Sequence, residues 1–68
     1  MTDKLSDREV EMMRYIRDGM TTKEAAVVMN VKFTTAREFR ERAYAKLGAH
    51  NTAQAIAAFA VISLRGNS

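Results

Sequence analysis

Apolar residues recur at three- and four-residue intervals along nearly the whole chain, and no stretch alternates residue by residue as a half-buried strand requires. The pattern predicts four helices. The first is announced by Ser6-Asp7-Arg8-Glu9, a serine three residues before a glutamate, which forms a capping box with Leu5 placed as a hydrophobic staple. Val10, Met12, Met13 and Ile16 supply its apolar side, and Gly19 ends it. The second helix runs from Thr22 to about Met29, behind a capping box of Thr21 and Glu24. Its Ala25 and Ala26 are small, so a crossing helix can approach closely. Asn30-Val31-Lys32-Phe33 then breaks the helical period. A third helix is expected from about Thr34 or Thr35 to Leu47, with Gly48 at the position a helix C-terminus favours. A fourth starts at Asn51, with a weaker cap signal to Gln54, and runs to about Leu64. Arg65-Gly66-Asn67-Ser68 reads as a frayed tail.

The segment from Thr21 to Leu47 carries the most information. Two helices joined by so short a turn are the signature of a helix-turn-helix, whose second helix enters the DNA major groove. On that helix Ala36, Phe39, Ala43 and Leu47 share one face at helical spacing and read as core. Arg37, Glu38, Glu41, Ala45 and, near the edge, Tyr44 face away. Thr34 and Thr35 lie at the helix start, where hydroxyls and backbone N–H groups can hold a phosphate. The helix is therefore buried on one side and available for reading on the other.

Charge sharpens this picture. Lys32, Arg37, Arg40, Arg42 and Lys46 stand against Glu38 and Glu41, an excess equal to the formal net charge of +3 of the entire chain. A surplus confined to one helix suits phosphate contact, although a solvated face of mixed charge would have the same composition.

The fourth helix differs. From Ala53 to Leu64 only Gln54 and Ser63 are polar. Ala55, Ile56, Phe59 and Ser63 share a face that can close the core. Ala57, Ala58, Val61 and Leu64 lie opposite, with little left in a chain of 68 residues to cover them. A symmetric contact between two copies through this helix would cover them and pair two reading helices across a two-fold axis.

Length and composition narrow the alternatives. Sixty-eight residues make one small domain, 1–68, with an ordered core of about 5–64. Such a core is thin, and a partner subunit would help it. The absence of cysteine excludes disulfides and thiolate metal sites and fits a reducing compartment. No signal peptide is visible, and the longest apolar run is too short to span a bilayer. The only histidine, His50, stands in the loop before the fourth helix without a neighbouring acidic cluster, so neither a metal nor a catalytic site is expected. No cofactor is expected either.

The ordered set of residues resembles the LuxR-type (GerE-like) helix-turn-helix family. Leu5-Ser6-x-Arg8-Glu9-x-Glu11 looks like the family's opening L-T-x-R-E-x-E. Ile16, Gly19 and Lys23-Glu24-Ala25-Ala26 follow its I, G and K-E-I-A positions, and Met29-x-Val31 stands at its L-x-I. Thr35-Ala36-Arg37, Lys46-Leu47-Gly48 and Ala55-Ile56 correspond to its T-V-K/R, K-L-G and A-V. The resemblance runs without a gap from Leu5 to about Leu64. It implies a bacterial regulator that binds double-stranded DNA as a dimer through its fourth helix. Lys23, Thr34 and Thr35 would then touch phosphate, and Arg37, Glu38 and Glu41 would face the groove. Arg37 is the expected base contact, and Lys46 a backbone contact or surface charge.

The chain departs from the family at several positions. Lys32 replaces the usual serine before the third helix, so Thr35 with Glu38 is the expected cap. Phe39 stands at the family's histidine and Arg40 at its next apolar position, which slides the core contact by one residue and leaves Arg40 at the flank. No receiver or ligand-binding domain accompanies these residues, which implies a free-standing member or a fragment.

The expectation is an all-α, four-helix domain acting as a DNA-binding transcription regulator, cytoplasmic and nucleoid-associated when bound. Its expected DNA-binding residues are Lys23, Lys32, Thr34, Thr35, Arg37, Glu38, Arg40, Glu41, Arg42 and Lys46, and its dimer residues are Ala57, Ala58, Val61 and Leu64. The alternative is a protein-interaction module that pairs with a larger LuxR-type regulator and inhibits or redirects it.

Overall fold

Four α-helices and no strand make up the described residues, 4–65, of the computed structural model: α1 (Asp7–Arg17), α2 (Thr22–Met29), α3 (Phe33–Leu47) and α4 (Thr52–Arg65). Gly66-Asn67-Ser68, expected to fray, lie outside the described residues. Arg65, grouped with them in the sequence reading, is the last residue of α4.

Both expected capping boxes form. The Glu9 N–H donates to Ser6 Oγ at 3.2 Å, and the Ser6 N–H donates to Glu9 Oε1 at 2.9 Å. Thr21 and Glu24 exchange the same pair of bonds at 3.1 and 2.9 Å. Each cap satisfies donors that a helix start leaves open, and losing one costs about 1 kcal/mol. Leu5 and Val10, the two ends of the expected staple, are both half-buried against the core.

The first three helices end in the same way. After each, one residue takes a positive φ: Gly19 at 92°, Asn30 at 59° and Gly48 at 68°. The next residue then bonds back five places, Met20 N–H to Tyr15, Val31 N–H to Ala26 and Ala49 N–H to Tyr44. These are Schellman motifs, which close the orphan carbonyls and reverse the chain. Asparagine tolerates this left-handed conformation better than other side chains do, so Asn30 can form the corner of the helix-turn-helix without glycine.

The start of α3 differs from the sequence expectation. Helix begins at Phe33, one or two residues early, and Lys32 is its N-cap with no side-chain hydrogen bond. The Thr35–Glu38 cap does not form, because both residues already lie inside the helix. At α4, Asn51 Oδ1 accepts the Gln54 N–H at 2.8 Å, as the spacing suggested. Gln54, however, reaches back to the His50 N–H at 2.7 Å, one residue beyond the reciprocal partner of an ordinary capping box.

The core comprises Met12, Met13, Ile16, Ala25, Ala26, Met29, Ala36, Ala43, Ala55 and Phe59. Five of these are alanines, so the helix axes approach closely and little volume separates them. Met12 and Met13 are the largest fully buried side chains, and each contributes about 1.5–3 kcal/mol by leaving water. Met20 is half-buried and outside this cluster. Phe39 and Leu47 pack against the core from α3, and Ile56 does so from α4. α3 lies chiefly against α2 and α1 and also touches α4, which places it at the centre of the domain with one long side open.

Candidate nucleic-acid interface

α3 is pinned on both flanks. On one side, Arg40 Nη1 donates to Thr22 Oγ1 at 2.7 Å and ties α3 to the first residue of α2. On the other, Lys46 Nζ donates to Glu9 Oε1 at 2.8 Å and lies 3.4 Å from the Lys4 carbonyl. One carboxylate oxygen of Glu9 therefore caps α1 and holds the end of α3. Its side chain is only 4% exposed, whereas that of Lys46 is 27% exposed. Burial alone would push the Glu9 carboxyl up. The bonds from Lys46 and Ser6 outweigh that effect and hold its pKa below the ordinary carboxylate value. Tyr44 adds a third tie, its hydroxyl donating to Thr52 Oγ1 at the start of α4 at 3.0 Å.

These ties divide the expected contact residues into two groups. Lys23, Lys32, Thr34, Arg37, Glu38, Glu41 and Arg42 are exposed, and Thr35 is half-buried. Arg40 and Lys46 are half-buried and bonded to other helices. Lys46, expected as a backbone contact or surface charge, donates to Glu9. The cations left facing outward in this region are Lys23, Lys32, Arg37 and Arg42. Glu38 and Glu41 share their surface.

Arg37 Nε lies 3.9 Å from Glu41 Oε2, with both side chains at least half exposed. An exposed pair one helical turn apart contributes about 0.3–0.5 kcal/mol. A bidentate arginine–guanine contact contributes about 1–3 kcal/mol. The ion pair is therefore too weak to withhold Arg37 from a contact of that strength. Glu38 has no such partner among the described residues. A carboxylate at that position can accept a hydrogen bond from cytosine N4.

The N-terminus of α3 is electrostatically open. Its cap makes no side-chain bond and its first turn holds no acidic residue, so neither offsets the positive end of the helix dipole. The exposed side chains there are Lys32, Phe33 and Thr34. Phe33 is 48% exposed and opens the helix, whereas the sequence pattern places it in the turn. The left-handed Asn30 closes α2 early enough for α3 to begin at Phe33.

On α4, Ala55 and Phe59 are buried, as expected, and Ile56 and Ser63 are half-buried. Ala57 is exposed, Val61 is 52% exposed and Leu64 is 83% exposed. Ala58, grouped with these in the sequence reading, is half-buried. Ile62, not singled out there, is 40% exposed. The apolar surface is real but lies slightly further around the helix than the spacing alone suggested. His50 is exposed, and no group of residues suited to a metal ion occurs among the described residues. No single helix there is long and apolar enough to cross a membrane.

A tight two-helix corner, carrying a helix buried on one face and lined with arginine, threonine and glutamate on the other, defines a DNA-binding helix-turn-helix domain. The family described as bacterial regulatory proteins of the luxR family (GerE) matches residues 3–59, and the chain belongs to that family. It is a DNA-binding transcription regulator of that family. The matched region takes in α1, α2, α3 and α4 as far as Phe59, so Val61 and Leu64 lie beyond it. No curated protein matches the chain.

Proposed function

We propose that residues 1–68 form one domain that binds duplex DNA as a homodimer, with α3 in the major groove and α4 pairing the two copies. The outward face of α3 carries this reading: its two flanks are bonded to α1 and α2, while Arg37, Glu38 and Glu41 remain free to meet base edges. Arg37 is the base contact. Lys23, at the exposed start of α2, and Thr34 and Thr35, at the start of α3, take phosphates. Lys32 and Arg42 add charge at the edges of the footprint. Ala57, Val61 and Leu64, with the partly covered Ala58, meet their symmetry mates.

A titration of labelled duplex over a range of salt concentrations tests these roles. Arg37→Ala should weaken the preferred site by about 1–3 kcal/mol and relax the base preference at one position. Lys23→Ala should weaken all sequences alike and reduce the salt slope by about one phosphate. If neither variant alters affinity for any duplex, this docking arrangement is wrong.

Glu38 and Glu41 favour one other reading. Both carboxylates are exposed on the surface that would meet phosphates. If they forbid DNA, α4 becomes the working surface, and the chain acts by pairing with a larger LuxR-type regulator. Co-purification with such a regulator, together with no duplex binding at low salt, would favour that reading.

A further inference from the structure

Phe33 is the one large apolar side chain placed where α3 would enter the groove. It is the first residue of that helix, 48% exposed, and it is not among the residues packed against the core. Its immediate neighbours Lys32 and Thr34 are exposed and polar. Residues four apart lie on the same helix face, so Phe33 and Arg37 are neighbours. Side chains on a helix tilt toward its N-terminus, which carries the Phe33 ring beyond the backbone at the leading end.

An aromatic ring half exposed there, outside the core, needs a reason. Lys32 and Thr34 suit phosphates, but a phenyl ring cannot bind one. Among base edges in the major groove, only thymine presents an apolar group, its C5-methyl, and phenylalanine is among the side chains that contact it. Deepening the DNA-binding reading and resting on it, we propose that Phe33 is a specificity residue that recognises a thymine methyl beside the base pair read by Arg37. Four residues advance a helix by about 6 Å. Successive base pairs are about 3.4 Å apart, so the thymine lies one or two base pairs from the Arg37 guanine. The half-site then couples one polar and one apolar contact, and discrimination against cytosine at the thymine position comes from the missing methyl.

The test replaces that methyl and nothing else. The protein's preferred duplex is first selected from a random pool, and each thymine of the half-site is then changed singly to uracil. For the wild-type chain, one uracil substitution should weaken binding about threefold to fivefold, the effect of exposing one methyl group. Phe33→Ala should weaken the thymine duplex by at least as much and bind the uracil duplex no worse than the thymine one. Circular dichroism should show Phe33→Ala folded, since the ring lies outside the core. Uracil insensitivity at every position overturns the proposal, as does an equal uracil penalty in wild type and Phe33→Ala. In either case, a preserved loss of base preference in Arg37→Ala shows that the DNA-binding reading stands while the Phe33 role fails. No duplex retained at any salt concentration removes both. If Phe33→Ala instead changes only the sedimentation of the free protein, the ring belongs to a protein contact along with the exposed Val27 and Val28, and the methyl-reading role is refuted.

Discussion

Replacing Lys46 by methionine separates a fold contact from a DNA contact. The substitution keeps the length of the stem and removes the ammonium group, so Glu9 loses its 2.8 Å partner while its side chain remains 4% exposed. A charge-assisted hydrogen bond of this kind contributes about 1.5–3 kcal/mol. Breaking a fully buried pair would cost more, about 3–5 kcal/mol. That upper range does not apply, because Lys46 is 27% exposed and Glu9 keeps its bond from the Ser6 N–H. The expected loss is therefore about 2 kcal/mol. In a domain of this size each kcal/mol moves Tm by about 4–8 °C, so Lys46→Met should melt about 8–16 °C lower.

The assay is thermal and urea unfolding by circular dichroism at one fixed protein concentration, since dimerisation would make Tm depend on concentration. The pH dependence supplies a second reading. The folded-state pKa of Glu9 lies below its ordinary value of 4.5, so its contribution is complete above that value and is lost as pH falls through the folded-state pKa. The gap between wild type and Lys46→Met should therefore close on acidification below about pH 4.5. Glu9→Gln and Lys46→Met should combine non-additively, as expected for two halves of one contact. Fully additive losses, or a Tm change under about 3 °C, would refute the clamp. At a temperature where the variant is folded, its salt slope for DNA should equal that of wild type. A slope reduced by about one phosphate would assign Lys46 to the DNA instead.

Three further substitutions probe the frame around the site and the pairing surface. Arg40→Ala and Thr22→Val should each lower stability by about 1 kcal/mol, and the double variant should lose little more, because both remove the same 2.7 Å bond. Equal and additive melting losses would mean that the bond does not hold α2 against α3. Leu64→Lys should leave the fold intact, since that side chain is 83% exposed, yet shift the protein toward monomer in sedimentation and weaken binding to a two-half-site duplex. Unchanged sedimentation would remove α4 as the pairing surface.

Local signals in the sequence were enough to draw most of the fold. The capping boxes at Ser6 and Thr21, the glycines at 19 and 48, and the Asn51–Gln54 pair act within four residues, so spacing alone reveals them. The start of α3 was harder to place, because its cap, Lys32, uses no side-chain hydrogen bond and leaves no chemical signature. Thr35 and Glu38 had the right spacing for a cap, but the left-handed turn at Asn30 starts the helix before they are reached. The least legible features were the long-range ties. Lys46 meets Glu9 and Arg40 meets Thr22 only after the helices pack, and no local pattern distinguishes these cations from Arg37 and Arg42. For the same reason, the sequence alone does not show that two of the five cations along α3 are bonded to other helices. Phe33 illustrates the converse, an apolar residue whose exposure becomes visible only once the start of α3 is fixed.

Sequence-specific binding by paired copies of α3 can be tested by selection from a random duplex pool at low and moderate salt. The retained duplexes should share a motif with two-fold symmetry and half-sites about one helical turn apart, and affinity should fall steeply as salt rises. Failure to retain any duplex even at low salt would contradict it, and would mean that this fold serves a protein partner through α4.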